Sequence, residues 1–147
     1  MTTIKNYLSL VKFSHTIFAM PFAIIGFVLG LKSNPNIQEI SNKEYGLKFM
    51  LVIVCMITAR SAAMAFNRYL DRSFDSKNPR TAIREIPKGI ISANSALRFV
   101  IINCVVFIIA TYFINPICLY LSPVALFVIL FYSYTKRFTA LCHLVLG

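Results

Sequence analysis

Residues 99–135 read FVIINCVVFIIATYFINPICLYLSPVALFVILFYSYT, a run of 37 residues without a charged side chain. As one helix, this run would extend about 55 Å at a rise of about 1.5 Å per residue. The hydrocarbon core of a bilayer is only about 30 Å thick. Asn115 and Pro116, near the middle of the run, form a dipeptide that signals a turn. The run therefore predicts two membrane-spanning helices, at about 98–114 and 117–135.

Apolar stretches also lie on both sides of this run. Residues 13–31 carry no formal charge, and residues 49–67 are interrupted only by Arg60. Both approach the length of about 20 residues that a spanning helix needs. Residues 138–147 are apolar again but number only ten, so we expect them to be the incomplete start of a fifth span. The prediction is an all-α, polytopic transmembrane bundle in which residues 1–147 belong to one domain.

Composition supports a membrane protein over the other classes. Hydrophobic residues make up 58% of the chain and charged residues 14%. An ordinary soluble domain is about 45–50% apolar and about 25% charged. Disorder is excluded as well, because disordered chains have low hydrophobicity. The lipid bilayer is therefore the first partner that the sequence predicts.

Basic residues are concentrated in the segments that flank the apolar runs. The chain has 15 Lys and Arg against five Asp and Glu, a formal net charge of +10. Seven of the bases lie in residues 68–98, and others lie before residue 13 and at 136–137. In a soluble protein this charge would suggest nucleic acid, but here the positive-inside rule explains it. We expect a cytoplasmic N-terminus and no nucleic-acid partner.

Three oxygen-bearing side chains follow the second apolar stretch at regular spacing. Asn67, Asp71 and Asp75 lie four residues apart, so in a helix they share one face. Such a face suits Mg²⁺, which binds through one or two carboxylates together with substrate phosphates. The alternative is a polar helix end whose carboxylates are solvated, since this spacing also arises by chance.

Arginines accompany this acidic face. Arg60 precedes Asn67 by seven residues, two turns deeper on nearly the same face. A charge at that depth usually faces a bundle interior or a wet cavity, where it binds a ligand or forms a structural ion pair. Arg80 and Arg84 follow in the segment 78–84, NPRTAIR. Their guanidinium groups suit a diphosphate; the alternative is that they are simple flanking charges that orient the helices.

The stretch 59–89, ARSAAMAFNRYLDRSFDSKNPRTAIREIPKG, resembles the first aspartate-rich motif of the UbiA superfamily of intramembrane aromatic prenyltransferases. The 4-hydroxybenzoate polyprenyltransferase-like branch is the most similar. Residues 132–136, YSYTK, resemble the family's Y-x-x-x-K pattern, and residues 12–19, KFSHTIFA, also look like members of this branch. Two positions depart from the usual R-T-x-x-R-P-L-P-x-G tail: Glu85 stands in place of proline and Ile86 in place of leucine.

The resemblance implies a bundle of nine spans, with residues 1–147 as its N-terminal part and a second aspartate motif in the later half. The implied reaction transfers a polyprenyl group from a polyprenyl diphosphate to an aromatic acid such as 4-hydroxybenzoate, with Mg²⁺ as cofactor. Such a step belongs to ubiquinone or menaquinone biosynthesis at the bacterial inner membrane. Because the second acidic motif is needed, we expect residues 1–147 alone to be inactive.

Roles for individual residues follow from the same resemblance. Metal binding falls to Asn67, Asp71 and Asp75, with Asn67 also facing the diphosphate. Lys136 joins Arg80 and Arg84 in offsetting charge on the departing diphosphate, and Arg60 binds the aromatic carboxylate. Tyr132 lies near the allylic cation or the diphosphate. The implied catalytic residues are Asp71, Asp75, Tyr132 and Lys136.

Other functions remain compatible with parts of the pattern. A transporter or channel would also place Arg60 and two carboxylates in a membrane cavity. A non-catalytic, lipid-binding subunit could use the basic segment to hold acidic headgroups. Among enzymes, the alternative is prenylation of a different aromatic quinone precursor.

Overall fold

The computed structural model describes residues 2–39 and 41–138, and in these residues all regular structure is helical. The expected all-α fold is therefore confirmed. Side chains are described for these residues except 37 and 136–138. The helices are α1 (Thr2–Leu10), α2 (Phe13–Lys32), α3 (Asn42–Lys77), α4 (Ala93–Ile114) and α5 (Pro116–Phe138), with a short 3₁₀ turn at Ile37–Glu39.

Four of the helices are long and apolar enough to cross a membrane. They coincide with the four complete spans that the sequence predicts, and large apolar side chains such as Phe18, Phe22 and Tyr120 are exposed on them. Exposed apolar surface of this extent is typical of helices that face lipid. The predicted fifth span, 138–147, lies outside the described residues apart from Phe138, which ends α5.

The break between α4 and α5 occurs where the sequence places it. Asn115 has an extended backbone, with φ −165° and ψ 143°. Its Oδ1 accepts a hydrogen bond from the Ile117 amide at 3.0 Å, and its carbonyl oxygen accepts one from the Leu119 amide at 3.2 Å. Pro116 then begins α5, at a position where a missing amide hydrogen costs little.

Helix α3 is longer than the predicted span 49–67. It runs without interruption over 36 residues to Lys77, which is about 54 Å. Residues 68–77 contain neither glycine nor proline, so nothing ends the helix where the apolar stretch ends. Pro79 comes soon afterwards and disfavours a helical conformation at the residue before it. The whole acidic face thus lies on one continuous helix.

Helix α1 was not predicted as a separate element. Lys12, between α1 and α2, has a left-handed backbone with φ 45°, which prevents the two helices from continuing into one another. Leu10 and Val11 are buried in the main apolar core, and the Tyr7 ring lies 5.0 Å from the ring of Phe99 on α4. These contacts dock α1 against the end of the bundle that carries the acidic face.

The core lies mainly between α3 and α4. Ala62 and Ala65 on α3 and Ala96 on α4 are fully buried. Small side chains allow membrane helices to approach closely. Two residues of the α3–α4 loop (residues 78–92), Ile86 and Ile91, are buried in the same cluster. The loop is therefore anchored to the helices that it connects.

Candidate active site

Asp75 is buried at the last turns of α3. Its side chain accepts hydrogen bonds from Nη1 of Arg84 at 3.0 Å on Oδ1 and 2.9 Å on Oδ2. Only 9% of the Asp75 side chain is exposed, against 34% for Arg84. The alternative of a solvated carboxylate is therefore wrong for Asp75, and the structure brings two of the predicted site residues into direct contact.

The α3–α4 loop folds back onto the end of α3 through its first residues. Oδ1 of Asn78 accepts a hydrogen bond from the Arg80 amide at 3.0 Å. The Asn78 carbonyl oxygen accepts hydrogen bonds from the amides of Thr81 at 3.0 Å and Ala82 at 2.8 Å. The Thr81 hydroxyl donates to the backbone carbonyl of Asp75 at 3.1 Å. This side-chain-supported turn places Arg80 and Arg84 beside the acidic end of α3.

A second ion pair lies close by, and the sequence did not reveal it. Nη1 of Arg68 contacts Oε2 of Glu85 at 2.5 Å, with 8% and 12% of the two side chains exposed. The hydroxyl of Ser9 donates to the other carboxylate oxygen, Oε1. From the sequence, Arg68 was grouped with the other basic residues of segment 68–98. In the structure it is a buried residue of α3. The departure of Glu85 from the family pattern was the one visible signal.

Arg60, Asn67 and Tyr132 meet in a cavity of ≈ 260 Å³ between α3 and α5. Its other walls are mostly apolar, with Ser133 as a further polar lining residue. An apolar cavity with a few polar groups is the usual form of a small-molecule site. The cavity unites residues from distant parts of the chain that the family resemblance assigns to one function.

A second, more polar cavity of ≈ 450 Å³ lies between the α1–α2 junction, α3 and the loop. Its cationic lining residues come from the α1–α2 junction, from α3 and from the loop. Glu85 supplies the carboxylate in this lining. The cations are Lys12, Arg68, Arg80 and Arg84. A cavity with this charge is suited to an anionic group.

Asp71 and Lys136 are the two remaining residues that were predicted to belong to the site. Asp71 lies on α3 between Asn67 and Asp75 and is partly buried, and it lines neither of the two cavities. The backbone of Lys136 belongs to α5, but its side chain lies outside the described residues. The predicted site is thus divided between an apolar cavity, an acidic helix face and a basic loop, which follow one another along the C-terminal half of α3 and the loop after it.

Comparison with known proteins gives the family of this chain. The sequence profile described as the UbiA prenyltransferase family matches residues 19–147. The chain belongs to the UbiA prenyltransferase family. The profile covers the acidic face, the loop and Tyr132, so every residue assigned above to the candidate site except Lys12 and Ser9 falls within it.

UbiA-family relatives are similar to this chain over most of its length. A 4-hydroxybenzoate octaprenyltransferase from Vibrio cholerae is 33% identical over 117 residues, covering 77% of this chain and 41% of the relative. One from Polynucleobacter asymbioticus is 39% identical over 101 residues, covering 67% and 34%. One from Tolumonas auensis is 36% identical over 88 residues, covering 60% and 31%.

A solved structure has the same helical arrangement. The apo structure of a UbiA homolog from Aeropyrum pernix K1 matches with a TM-score of 0.77 and 32% sequence identity. The match covers 91% of this chain and 45% of that chain. This UbiA-family chain is therefore an integral membrane protein, and it spans less than half the length of these three relatives and of this solved chain.

Proposed function

We propose that the complete protein transfers a polyprenyl group from a polyprenyl diphosphate to an aromatic acid of the 4-hydroxybenzoate class. The observation that supports this most is the joining of Arg60, Asn67 and Tyr132 in one mostly apolar cavity. The names of the relatives, 4-hydroxybenzoate octaprenyltransferases, support the same class of reaction. The place of such a step in ubiquinone or menaquinone biosynthesis is part of the proposal.

The donor diphosphate would bind at the acidic end of α3. Asn67, Asp71 and Asp75 offer oxygen donors along one helix face, and Mg²⁺ binds through such donors together with substrate phosphates. Within residues 2–39 and 41–138, no group of three or more His, Cys, Asp or Glu side chains is suited to a metal ion. Two carboxylates still fit Mg²⁺, because the diphosphate supplies further ligands.

Cationic side chains would offset the charge that develops on the departing diphosphate. Arg80 and Arg84 lie in the loop beside the acidic face, and Lys136 is assigned to the same role by the family pattern. Arg84 is held by Asp75 in the structure, so it is already oriented toward this face. Fixed charges that are placed before the reaction stabilise a developing charge with little reorganisation.

The acceptor would lie deeper, in the cavity between α3 and α5. Arg60 is exposed to this cavity, and a guanidinium group binds a carboxylate in bidentate geometry. The allylic C–O bond of the donor breaks, a C–C bond to the ring forms, and the ring then loses a proton. Tyr132 lines the same cavity, where its ring could stabilise the allylic cation.

We infer that the protein lies in the bacterial inner membrane with its N-terminus in the cytoplasm. The α3–α4 loop and the residues before α2 are both basic, and basic segments remain on the cytoplasmic side. The bacterial sources of the relatives support the choice of membrane. This orientation puts the acidic end of α3 at the cytoplasmic surface.

The test is a transfer assay with the protein as its complete gene encodes it, in membrane vesicles. A long-chain prenyl diphosphate and 4-hydroxybenzoate are supplied with Mg²⁺ or with a chelator, and the product is identified by mass spectrometry. We expect a prenylated acid that forms only with Mg²⁺. Release of diphosphate without a prenylated acid would exclude this acceptor, and the absence of any reaction with the donor would refute the proposed function.

A further inference from the structure

Glu85 joins three parts of the molecule. Its carboxylate accepts hydrogen bonds from Ser9 at the end of α1 and from Arg68 on α3. Its backbone carbonyl accepts hydrogen bonds from the amides of Ile90 at 2.9 Å and Ile91 at 3.1 Å. The proline that stands here in the family pattern given above could not supply this carboxylate.

In the two ion pairs between α3 and the loop the charges are reversed: α3 supplies the cation in one pair and the anion in the other. On α3, Arg68 and Asp75 lie seven residues apart, two turns along the same face. On the loop, their partners Glu85 and Arg84 are adjacent. If the loop shifted along α3, Arg84 would approach Arg68 and like charges would repel. The charge pattern therefore selects one register of the loop on the helix.

We propose that Glu85 is a positioning residue for the diphosphate site: through Arg68 and Ser9 it holds the loop so that Arg80 and Arg84 face the acidic end of α3 before the donor binds. This inference rests on the proposed function. Ordering the loop in advance favours donor binding, because a preorganised site loses less conformational freedom when it is occupied. Acceptor binding depends on the cavity at Arg60, which Glu85 does not line, and is unaffected.

Glu85 also offsets the positive charge of the side chains around it. It is the acidic residue in the lining of a cavity that also contains Lys12, Arg68 and Arg80. A glutamine there would preserve the size of the side chain and its capacity to accept a hydrogen bond, but would remove the carboxylate that pairs directly with the buried Arg68. An unpaired buried charge is strongly unfavourable, so the variant loop would leave its position on α3 more readily.

The first test compares Glu85→Gln with Glu44→Gln in the complete protein. Glu44 is exposed in the first turn of α3, so its replacement removes the same charge far from the loop. We expect Glu85→Gln to raise the KM for the prenyl diphosphate about tenfold, with the acceptor KM and kcat within about twofold of the original. Adding Arg68→Gln to Glu85→Gln should cause little further change, because the two residues act as one pair.

An unchanged donor KM in Glu85→Gln would overturn the proposal. A proportional fall in folded protein and in activity with all substrates would also overturn it, because it would indicate a purely structural role. Glu85→Asp, which keeps the charge, should restore much of the donor affinity. Failure of that rescue, when Glu85→Gln and Glu85→Asp are equally impaired, would contradict a role for the charge.

A second measurement does not depend on the reaction. Arg80 and Lys88 are exposed in the loop and are sites for trypsin added to vesicles that expose the cytoplasmic face. Cleavage at both sites should be at least about threefold faster in Glu85→Gln than in Glu44→Gln if the loop is released. Equal cleavage rates would refute the positioning role of Glu85, even if the protein without substitutions proved to have no transfer activity. Faster cleavage of Glu85→Gln in a protein without transfer activity would support the role of Glu85 in holding the loop and would reject only the proposed function.

Discussion

Arg84 donates from one guanidinium nitrogen to both carboxylate oxygens of Asp75, at 3.0 and 2.9 Å. The contact joins the last turns of α3 to a loop residue nine positions later. Asp75 is therefore already engaged by a cation in the structure. A metal ion bound with a diphosphate would share Asp75 with Arg84, or would take it over while Arg84 turns to the phosphate.

Replacing either carboxylate of the acidic face should remove most transfer activity. Asp71→Asn and Asp75→Asn keep the side-chain size and remove the charge that attracts Mg²⁺ and, through it, the diphosphate. We expect a loss of about 100-fold or more in kcat/KM for each variant. The measurement is initial rate against donor concentration at several Mg²⁺ concentrations.

Glu39→Gln provides the matched control, since Glu39 is an exposed acidic residue in the loop before α3. It should leave the rate within about twofold of the original, as expected for an exposed charge away from the site. Near-normal turnover in both aspartate variants, each confirmed as inserted in the membrane, would remove these residues from the metal site.

Arg60→Leu should impair use of the acceptor much more than binding of the donor. Arg60 lies two turns below Asn67 on α3, on the order of 10 Å along the axis, and lines the cavity shared with Tyr132. Loss of a charge-assisted contact costs about 1.5–3 kcal/mol, so the acceptor KM should rise about 10-fold to 100-fold. Donor and acceptor KM are measured separately.

Arg60→Lys supplies the control for charge alone. It should recover only part of the acceptor affinity, because an ammonium group lacks the bidentate geometry of guanidinium. If only the donor KM rises in Arg60→Leu, Arg60 belongs to the diphosphate site and its assignment to the aromatic carboxylate is wrong.

The spans and the acidic face could be predicted because each depends on local pattern. Pro116 and the uncharged run around it locate two helices without any long-range contact, and four-residue spacing places Asn67 and Asp75 on one helix face. The role of Arg68 could not be read in this way, since its partner Glu85 lies 17 residues away in the chain. Only the folded loop shows that Arg68 is a buried, paired residue.

The proximity of Arg60 and Tyr132 in the folded chain could not be predicted from sequence spacing either. It depends on how α5 packs against α3, and 72 residues separate the two positions. The family resemblance assigned both residues to one site, whereas the periodicity of either helix alone did not. Helix α1 was missed for a similar reason: its nine residues are too few for a stable isolated helix, and its stability comes from burying Leu10 in the core.

Residues 1–147 expressed alone are expected to show no prenyl transfer. The chain covers 41% of the Vibrio cholerae relative, and the described residues bring only Asp71 and Asp75 to the acidic face as carboxylates. A single acidic face leaves the opposing side of a diphosphate site without ligands. The measurement is product formation in vesicles that contain this segment, after insertion has been verified. Turnover comparable to that of the complete protein would contradict our account of the site.

The final prediction concerns orientation and uses three single-cysteine variants of a protein in which all native cysteines, including the four in residues 1–147, are replaced by serine. Asn36→Cys reports on the loop between α2 and α3, Lys88→Cys on the α3–α4 loop, and Thr3→Cys on the N-terminal segment; all three positions are exposed. A membrane-impermeant maleimide added to intact cells should label Asn36→Cys only. Lys88→Cys and Thr3→Cys should react only after the membrane is permeabilised. The physical reason is that the α3–α4 loop and the N-terminal segment are basic and stay on the cytoplasmic side. One span separates each of them from the α2–α3 loop: α2 for the N-terminal segment and α3 for the α3–α4 loop. The reverse labelling pattern would place the acidic end of α3 outside the cell and refute the proposed orientation.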